Sequence, residues 1–476
     1  MQIHKKTAGL VRRLLSTQGM VKEELRQGEI TPTKEAYKVS LAIAAPAVVE
    51  MVSMALMDFL SALMVGRVSQ YASSAVLLTA QPRMIFFAFL FALNIAVTTI
   101  VSRAKGAGEQ DTARSCLRHS MMIVLVLGSV MTVLAVAFAQ PMMRLAGADA
   151  DTLAMATSYF RLAGFGLVFQ AMTGAICAAQ RAIGNTKITM KVSIAAKITQ
   201  LFVGFLIIEG RFGLPALGVD GAAIALLVVG VVGFGLAIAS VLSKDAYLHV
   251  HPRDNWRPDK MMLKQIGRVA QGSALEQVAL RIGFFLYARV VAQLGAWEFA
   301  AHGIGMQIMN ISFSFADGIS AATASLVGQN LGKRRPDLSI MYGKLGLRLA
   351  FAAAAFLSIT SFLIRNHFPT LVIPGAPQEL VQSATTVITI LVFILPIQTT
   401  QVVMGGSLRG AGDVRYVAMT MLVTVAILRP LIGWVLVFPV GMGLAGAWVA
   451  IIIDQIVRLG MLFTRFSGGK WIRAKL

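Results

Sequence analysis

Val101-Ser102-Arg103-Ala104-Lys105-Gly106 closes one apolar run, and 226 residues later Val327-Gly328-Gln329-Asn330-Leu331-Gly332 closes another. At the same offset Glu50 meets Glu276, Val65 meets Val291 and Ala75 meets Ala301. At an offset of 228, Gln170 meets Gln398, and Arg181-Ala182-Ile183-Gly184-Asn185 meets Arg409-Gly410-Ala411-Gly412-Asp413. At 225, Gly218-Val219-Asp220-Gly221-Ala222 meets Gly443-Leu444-Ala445-Gly446-Ala447. Three ungapped blocks in one order mark a duplicated unit.

The runs between these blocks are long enough for lipid. A spanning helix needs roughly 20 mostly apolar residues. Such runs lie near 39–65, 75–102, 119–140, 153–180, 187–209 and 220–243, then near 265–294, 300–328, 342–364, 382–406, 416–438 and 442–464. Gly, Pro or charge clusters mark each break. The expected fold is all-α and integral to the membrane, with twelve transmembrane helices in two six-helix pseudo-symmetric lobes. Six is even, so both lobes enter the membrane from the same side. Their symmetry axis then runs along the membrane normal, with a cavity between the lobes.

Charge tests the count. Of the 43 Lys and Arg residues, those between the runs fall on alternate sides. Arg103, Lys105, Arg114, Arg118, Lys187, Lys244, Arg253, Lys260, Lys333, Arg334, Arg335, Arg409, Arg415 and Lys470 fall on one side, with little beyond Arg67, Arg144, Arg211 and Arg365 on the other. Basic loops stay in the cytoplasm, which places both termini there and the chain in the plasma or inner membrane. The expected divisions are a basic N-terminal tail at 1–38, an N-lobe at 39–243, a cytoplasmic linker at 244–264, a C-lobe at 265–465 and a basic C-terminal tail at 466–476. Leu10 to Leu15 can lie on the bilayer surface, or the tail can be disordered. The N-terminus lacks a short apolar core with a small-residue cleavage site, so no cleaved signal peptide is expected.

Composition narrows the function. Charged residues make up 14%, against about a quarter in a soluble domain, and the mean hydropathy is +0.73. The net charge of +21 follows membrane topology rather than nucleic-acid binding. Two cysteines, Cys116 and Cys177, make neither a disulfide framework nor a zinc motif. His249 and His251 have no third ligand near them in sequence. No P-loop, HExxH or nucleophile elbow occurs, so neither an ATP motor nor a familiar hydrolase is expected. The 25 Met and 26 Phe residues suit a pliable cavity for aromatic cations and equally a lipid-facing surface.

The repeat blocks resemble the multidrug and toxic compound extrusion (MATE) family, within a superfamily that also holds polysaccharide and lipid flippases. The marks are Val65-Gly66-Arg67 after the first span, Val327-Gly328-Gln329-Asn330-Leu331-Gly332 after the eighth and Leu408-Arg409-Gly410-Ala411-Gly412-Asp413 after the tenth, the last matching the family's LRGxGD. The resemblance covers about 430 residues. It implies a monomeric antiporter with two lobes rocking in alternating access, exporting organic cations or drugs for protons or sodium ions. The alternative is a lipid or oligosaccharide-lipid flippase, which needs a basic cavity. Arg161, Lys197, Arg281, Arg289 and Arg429 keep that alternative open.

A coupling cation needs a carboxylate in low-dielectric surroundings, and such a residue within a span is functional by default. Glu276 lies in the seventh span where many family members carry an ion-binding glutamate, and it is the expected ligand if the ion is sodium. The competing role for Glu276 is an ion pair with Arg281 or Arg289. The family's N-lobe aspartate, five residues before the glycine of Val65-Gly66-Arg67, is replaced by Ser61. Asp58, one turn earlier, and Glu50, the repeat mate of Glu276, are the substitutes, with Asp58 placed first and Lys197 available to neutralise either one. Asp317 and Asp454 are secondary candidates. The family's acidic residue in span ten is missing, and Gln398 and Gln401 occupy that region. With Gln170 and Gln307 they are expected to line the cavity or to join helices.

Overall fold

The computed structural model describes residues 16–251, 253–373 and 375–474. It is helical throughout, with no strand among the described residues. Leu10 to Leu15 lies outside the described residues.

The first six spans are α1 (Thr33–Gly66), α2 (Gln70–Ala107), α3 (Gln110–Ala137), α4 (Ala150–Phe165 bent into Leu167–Ala182), α5 (Thr186–Ile207) and α6 (Gly218–Leu242). The second six are α7 (Lys260–Ala292), α8 (Ala296–Gly332), α9 (Pro336–Ile364), α10 (Gln378–Gly410), α11 (Val414–Val437) and α12 (Gly443–Ser467). Ten are long and apolar enough to cross a membrane, and α4 makes eleven when its halves, bent by 45° at Gly166, count as one. The twelfth is α7, 33 residues long, whose Lys264, Arg268, Glu276, Arg281 and Arg289 lower its hydropathy. The twelve-helix, all-α architecture expected from the repeat therefore stands, and the chain is a multi-pass membrane protein. Its exposed surface agrees. Leu56, Phe59, Leu60 and Leu63 form an exposed stripe on α1, and Phe356, Ile359 and Leu363 another on α9. In lipid such stripes cost nothing, while helices satisfy their own backbone groups.

The repeat is visible at the turns. Gly184 ends the α4–α5 connection with φ +87°, and its mate Gly412 ends α10–α11 with φ +86°. A side chain at either position would force a Cβ into left-handed backbone, which glycine alone enters without penalty. The matching blocks are thus matching turns.

Two compact units emerge from the packing. One holds the described residues through Val48, then Ser102–Gly108, and the described residues from Val278 on. Its core sets Val387, Ile388 and Leu391 of α10 with Ile304 and Ile308 of α8 and Trp448 and Ile451 of α12. The other unit holds Val49–Val101 and Glu109–Gln277. Tyr159 and Ala163 of α4 pack there with Ala222, Ala223 and Leu226 of α6.

Three details differ from the sequence-based divisions. Helix α1 begins at Thr33 rather than at 39, and residues 16–32 are not a bare tail. Met20 and Val21 are buried with Leu326 of α8 and Met341, Tyr342 and Leu345 of α9. Lys344 Nζ donates to the Met20 carbonyl at 2.7 Å and Arg348 Nη1 to the Ser16 carbonyl at 3.1 Å. At the other end, Trp471 is fully buried and stacks on Phe466 with ring centroids 5.1 Å apart. Helix α7 starts at Lys260, within the expected linker, and the backbone N–H of Asp259 donates to His119 Nε2 at 2.8 Å.

Candidate functional site

Glu50 lies on α1 one turn after Pro46 and is 1% exposed. Its Oε1 accepts from Arg181 Nη1 at 3.0 Å and from Ser193 Oγ at 2.7 Å, and its Oε2 accepts from Thr189 Oγ1 at 2.7 Å. The sequence explains how the donors meet. Arg181 ends α4, where the negative pole of the helix dipole favours a cation. Thr189 and Ser193 are four apart on α5 and share a face. Three donors, one of them charged, satisfy both oxygens of this buried carboxylate.

Lys197 continues the same face of α5, four residues beyond Ser193, and pairs with Asp58 on α1. It does not serve Glu50, whose counter-ion is Arg181. The two N-half candidates therefore differ in kind. Glu50 is enclosed, while the Asp58 side chain is 59% exposed beside its lysine. Ser61 donates to the Met57 carbonyl of its own helix at 2.9 Å, a local back-bond with no ionisable group.

Among the C-half candidates Asp454 is the most enclosed, at 0% exposure. Its Oδ2 accepts from Arg429 Nε at 2.7 Å and Nη2 at 2.5 Å, and its Oδ1 accepts from Arg458 Nη2 at 2.5 Å. Arg458 Nε also donates to Thr424 Oγ1 at 3.1 Å. Thr424 and Arg429 reach this network from one helix because residues Leu422–Leu428 of α11 form a π-turn. In an α-helix, residues five apart sit about 140° around from each other at 3.6 residues per turn. A π-turn, bonded from i to i+5, stacks them on one face. The Arg429 guanidinium also lies 5.3 Å from the Phe284 ring centroid. Asp454 is thus a clamped ion pair that joins α11 to α12.

Glu276 is buried in the middle of α7, at 2% exposure. Asp317 is exposed on α8. Next to it, Gly318 lets α8 lie against the α1 backbone, since an added Cβ would sit 2.6 Å from Val48 Cα. The four glutamines separate. Gln398 is fully buried and donates to the Met309 carbonyl at 3.3 Å, while Gln401 is fully buried with no protein partner for its amide among the described residues. Gln170 is partly buried and donates to the Leu226 carbonyl at 3.3 Å. Gln307 is exposed. Gln170 and Gln398 therefore bridge helices within their own halves. No group of three or more His, Cys, Asp or Glu able to hold a metal occurs among the described residues.

Sequence reasoning missed Arg181, Thr189, Ser193 and Arg458 as partners. Arg181 carried a signal, since it and Glu50 each have a repeat mate, Arg409 and Glu276.

The family profile described as MatE matches residues 46–206 and 273–435, one match in each half. A probable multidrug resistance protein NorM from Thermotoga maritima is 27% identical over 445 residues, covering 92% of this chain and 93% of that protein. One of the same name from Agrobacterium fabrum is 26% identical, covering 84% and 87%. Among solved structures, an outward-facing multidrug resistance MATE transporter of the MOP superfamily aligns with a TM-score of 0.85 at 20% identity, covering 91% of this chain and 97% of that one. A Pyrococcus furiosus MOP-superfamily transporter, described as having a binding pocket of reverse polarity, aligns with a TM-score of 0.83 at 20% identity, covering 91% and 95%.

Proposed function

Because the chain belongs to the MatE family of membrane transporters, we propose that it is a secondary active antiporter exporting organic cations in exchange for protons or sodium ions. The observation that carries the reading is Glu276, a carboxylate buried in mid-span on the most polar of the twelve helices. An acidic side chain within a span is functional by default, and a carboxylate there is the kind of group that holds a coupling proton or sodium ion. Asp58 is the N-half group able to exchange, being exposed and held by a single lysine. Glu50 is occupied by three donors and serves the framework. The names of the Thermotoga and Agrobacterium relatives, both multidrug resistance proteins, support a drug-like substrate.

The flippase alternative needs a basic cavity. Of the cations that kept it open, Lys197 is paired with Asp58 and Arg429 with Asp454. Their charge is spent on neighbouring carboxylates, which leaves the antiporter reading ahead.

The test is ethidium export from proteoliposomes under an imposed pH gradient or an imposed sodium gradient. One gradient is expected to drive export in the wild type. Glu276→Gln keeps the shape and removes the titratable charge, and is expected to lower coupled export at least tenfold with an unchanged melting temperature. Wild-type export by that variant would return Glu276 to a structural role.

A further inference from the structure

The last two turns of α2 and of α8, which are repeat mates, lie directly against each other. An ideal Cβ added to Gly106 would overlap the Gln329 carbonyl oxygen and sit 2.6 Å from its carbonyl carbon. One added to Gly332 would overlap the Arg103 carbonyl oxygen and sit 2.9 Å from the Ala107 nitrogen. One added to Gly328 would overlap Ser102 Oγ. These contacts are reciprocal. Gly106 and Gly332 are mates at an offset of 226, as are Arg103 and Gln329, and Ser102 and Gly328. Each glycine meets the backbone of the other's partner, as in a contact built around a two-fold axis. Residues Ser102–Gly108 also pack in the compact unit that contains α8, although the rest of α2 does not.

At Gly106 and Gly332 the contact is backbone on backbone, and at Gly328 it is backbone on the Ser102 side chain. Glycines allow helices to approach this closely in a membrane, where packing and weak Cα–H···O contacts replace side-chain interlocking. The three glycines contribute close packing to the seam and no side chain that has to be withdrawn when the helices separate. The directional bonds lie beside it. Arg103 Nη2 donates to the Ala411 carbonyl at 2.5 Å and to the Ala474 carbonyl at 3.2 Å, tying the end of α2 to the α10–α11 turn and the C-terminal segment.

We propose that this reciprocal glycine seam is the closed cytoplasmic gate of the protein, with Gly106, Gly328 and Gly332 as its contact points. The inference rests on the alternating-access reading above and on the basic residues that assign these helix ends to the cytoplasm. Export requires the gate to open for substrate entry and to close before release on the far side.

The experiment is a reversible lock. Ser102→Cys with Gly328→Cys, in full-length protein with Cys116→Ala and Cys177→Ala, is reconstituted and oxidised. Cross-linking is expected to lower ethidium export at least tenfold, and reduction to restore it. A second variant, Gly332→Leu, cannot close the seam and is expected to retain ethidium binding while losing at least tenfold in export. With Arg103→Cys as the single thiol, the Gly332→Leu protein should also react faster with an impermeant maleimide from the cytoplasmic side than the same protein with Gly332 intact. Equal export before and after cross-linking, or failure of the two cysteines to link at all, would overturn the gate. If even the wild type exports no ethidium under either gradient while the link still forms, the transport reading has failed and not the seam.

Discussion

The N-half and the C-half each bury an acid that arginine neutralises, and they do so on different helices. In the N-half, Glu50 of α1 takes Arg181 of α4 with Thr189 and Ser193 of α5. In the C-half, Asp454 of α12 takes Arg458 of its own helix and Arg429 of α11. Glu50 and Arg181 have Glu276 and Arg409 as sequence mates, while the residues around each pair differ between the halves. At the matching offsets, Arg429, Asp454 and Arg458 correspond to Leu201, Val229 and Gly233, and Thr189 and Ser193 correspond to Val417 and Met421. The duplication kept helices, turns and the α2–α8 seam, and let the buried polar groups diverge. The consequence falls on the Glu50–Glu276 pair of mates. The hydroxyl donors that hold Glu50 have no counterpart in sequence at the C-half positions. Glu50 is a framework charge held by Arg181, Thr189 and Ser193, and Glu276 is the mate proposed above to exchange the coupling cation.

That contrast can be broken in three places, in decreasing order of cost. Asp454→Asn leaves two guanidiniums around a neutral amide in the interior, and removing one partner of a buried pair costs about 3–5 kcal/mol. The expected outcome is a large fall in melting temperature or loss of folded protein, read by size-exclusion chromatography and thermal unfolding in detergent. Normal stability would mean that the clamp is not structural. Glu50→Gln keeps the shape but weakens three hydrogen bonds, one of them charged, for about 2 kcal/mol. Its melting temperature should fall clearly while residual export keeps the wild-type response to the driving gradient. A changed response would move Glu50 among the exchanging groups. Asp58→Asn touches an exposed pair, worth about 0–1 kcal/mol. It should scarcely move the melting temperature, yet reduce export several-fold, more than Glu50→Gln does. Near-normal export by both variants would leave Glu276 as the sole coupling carboxylate.

Much of the architecture was legible because it is written in long, redundant signals. Twelve apolar runs, alternating basic loops and three ungapped repeat blocks each constrain the same count. Even α7, too polar to pass as a span by hydropathy, is fixed by its place in the repeat. The carboxylates were legible too, because an acid in an apolar run stands out. Their partners were not. Whether Lys197 reaches Glu50 or Asp58 depends on the register of α5 against α1, which no local pattern encodes. The π-turn in α11 was invisible because Leu422-Val423-Thr424-Val425-Ala426-Ile427-Leu428 reads as ordinary apolar helix. Only the network it closes distinguishes it. The docking of Met20 and Val21 was hidden because both sit within a polar, basic segment that reads as tail.

That docking has a consequence for biogenesis. The segment's anchor points on α9 lie 324 and 332 residues further along the chain, at Lys344 and Arg348. At a synthesis rate of about 5–20 residues per second, the ribosome reaches them roughly 20–60 s after the segment emerges. Helices α1 to α8 are made during that interval, while Met20 and Val21 have no place to bury. The first described residues of the chain are therefore among the last to be packed, and a nascent chain interrupted before α9 exposes them to chaperones and proteases.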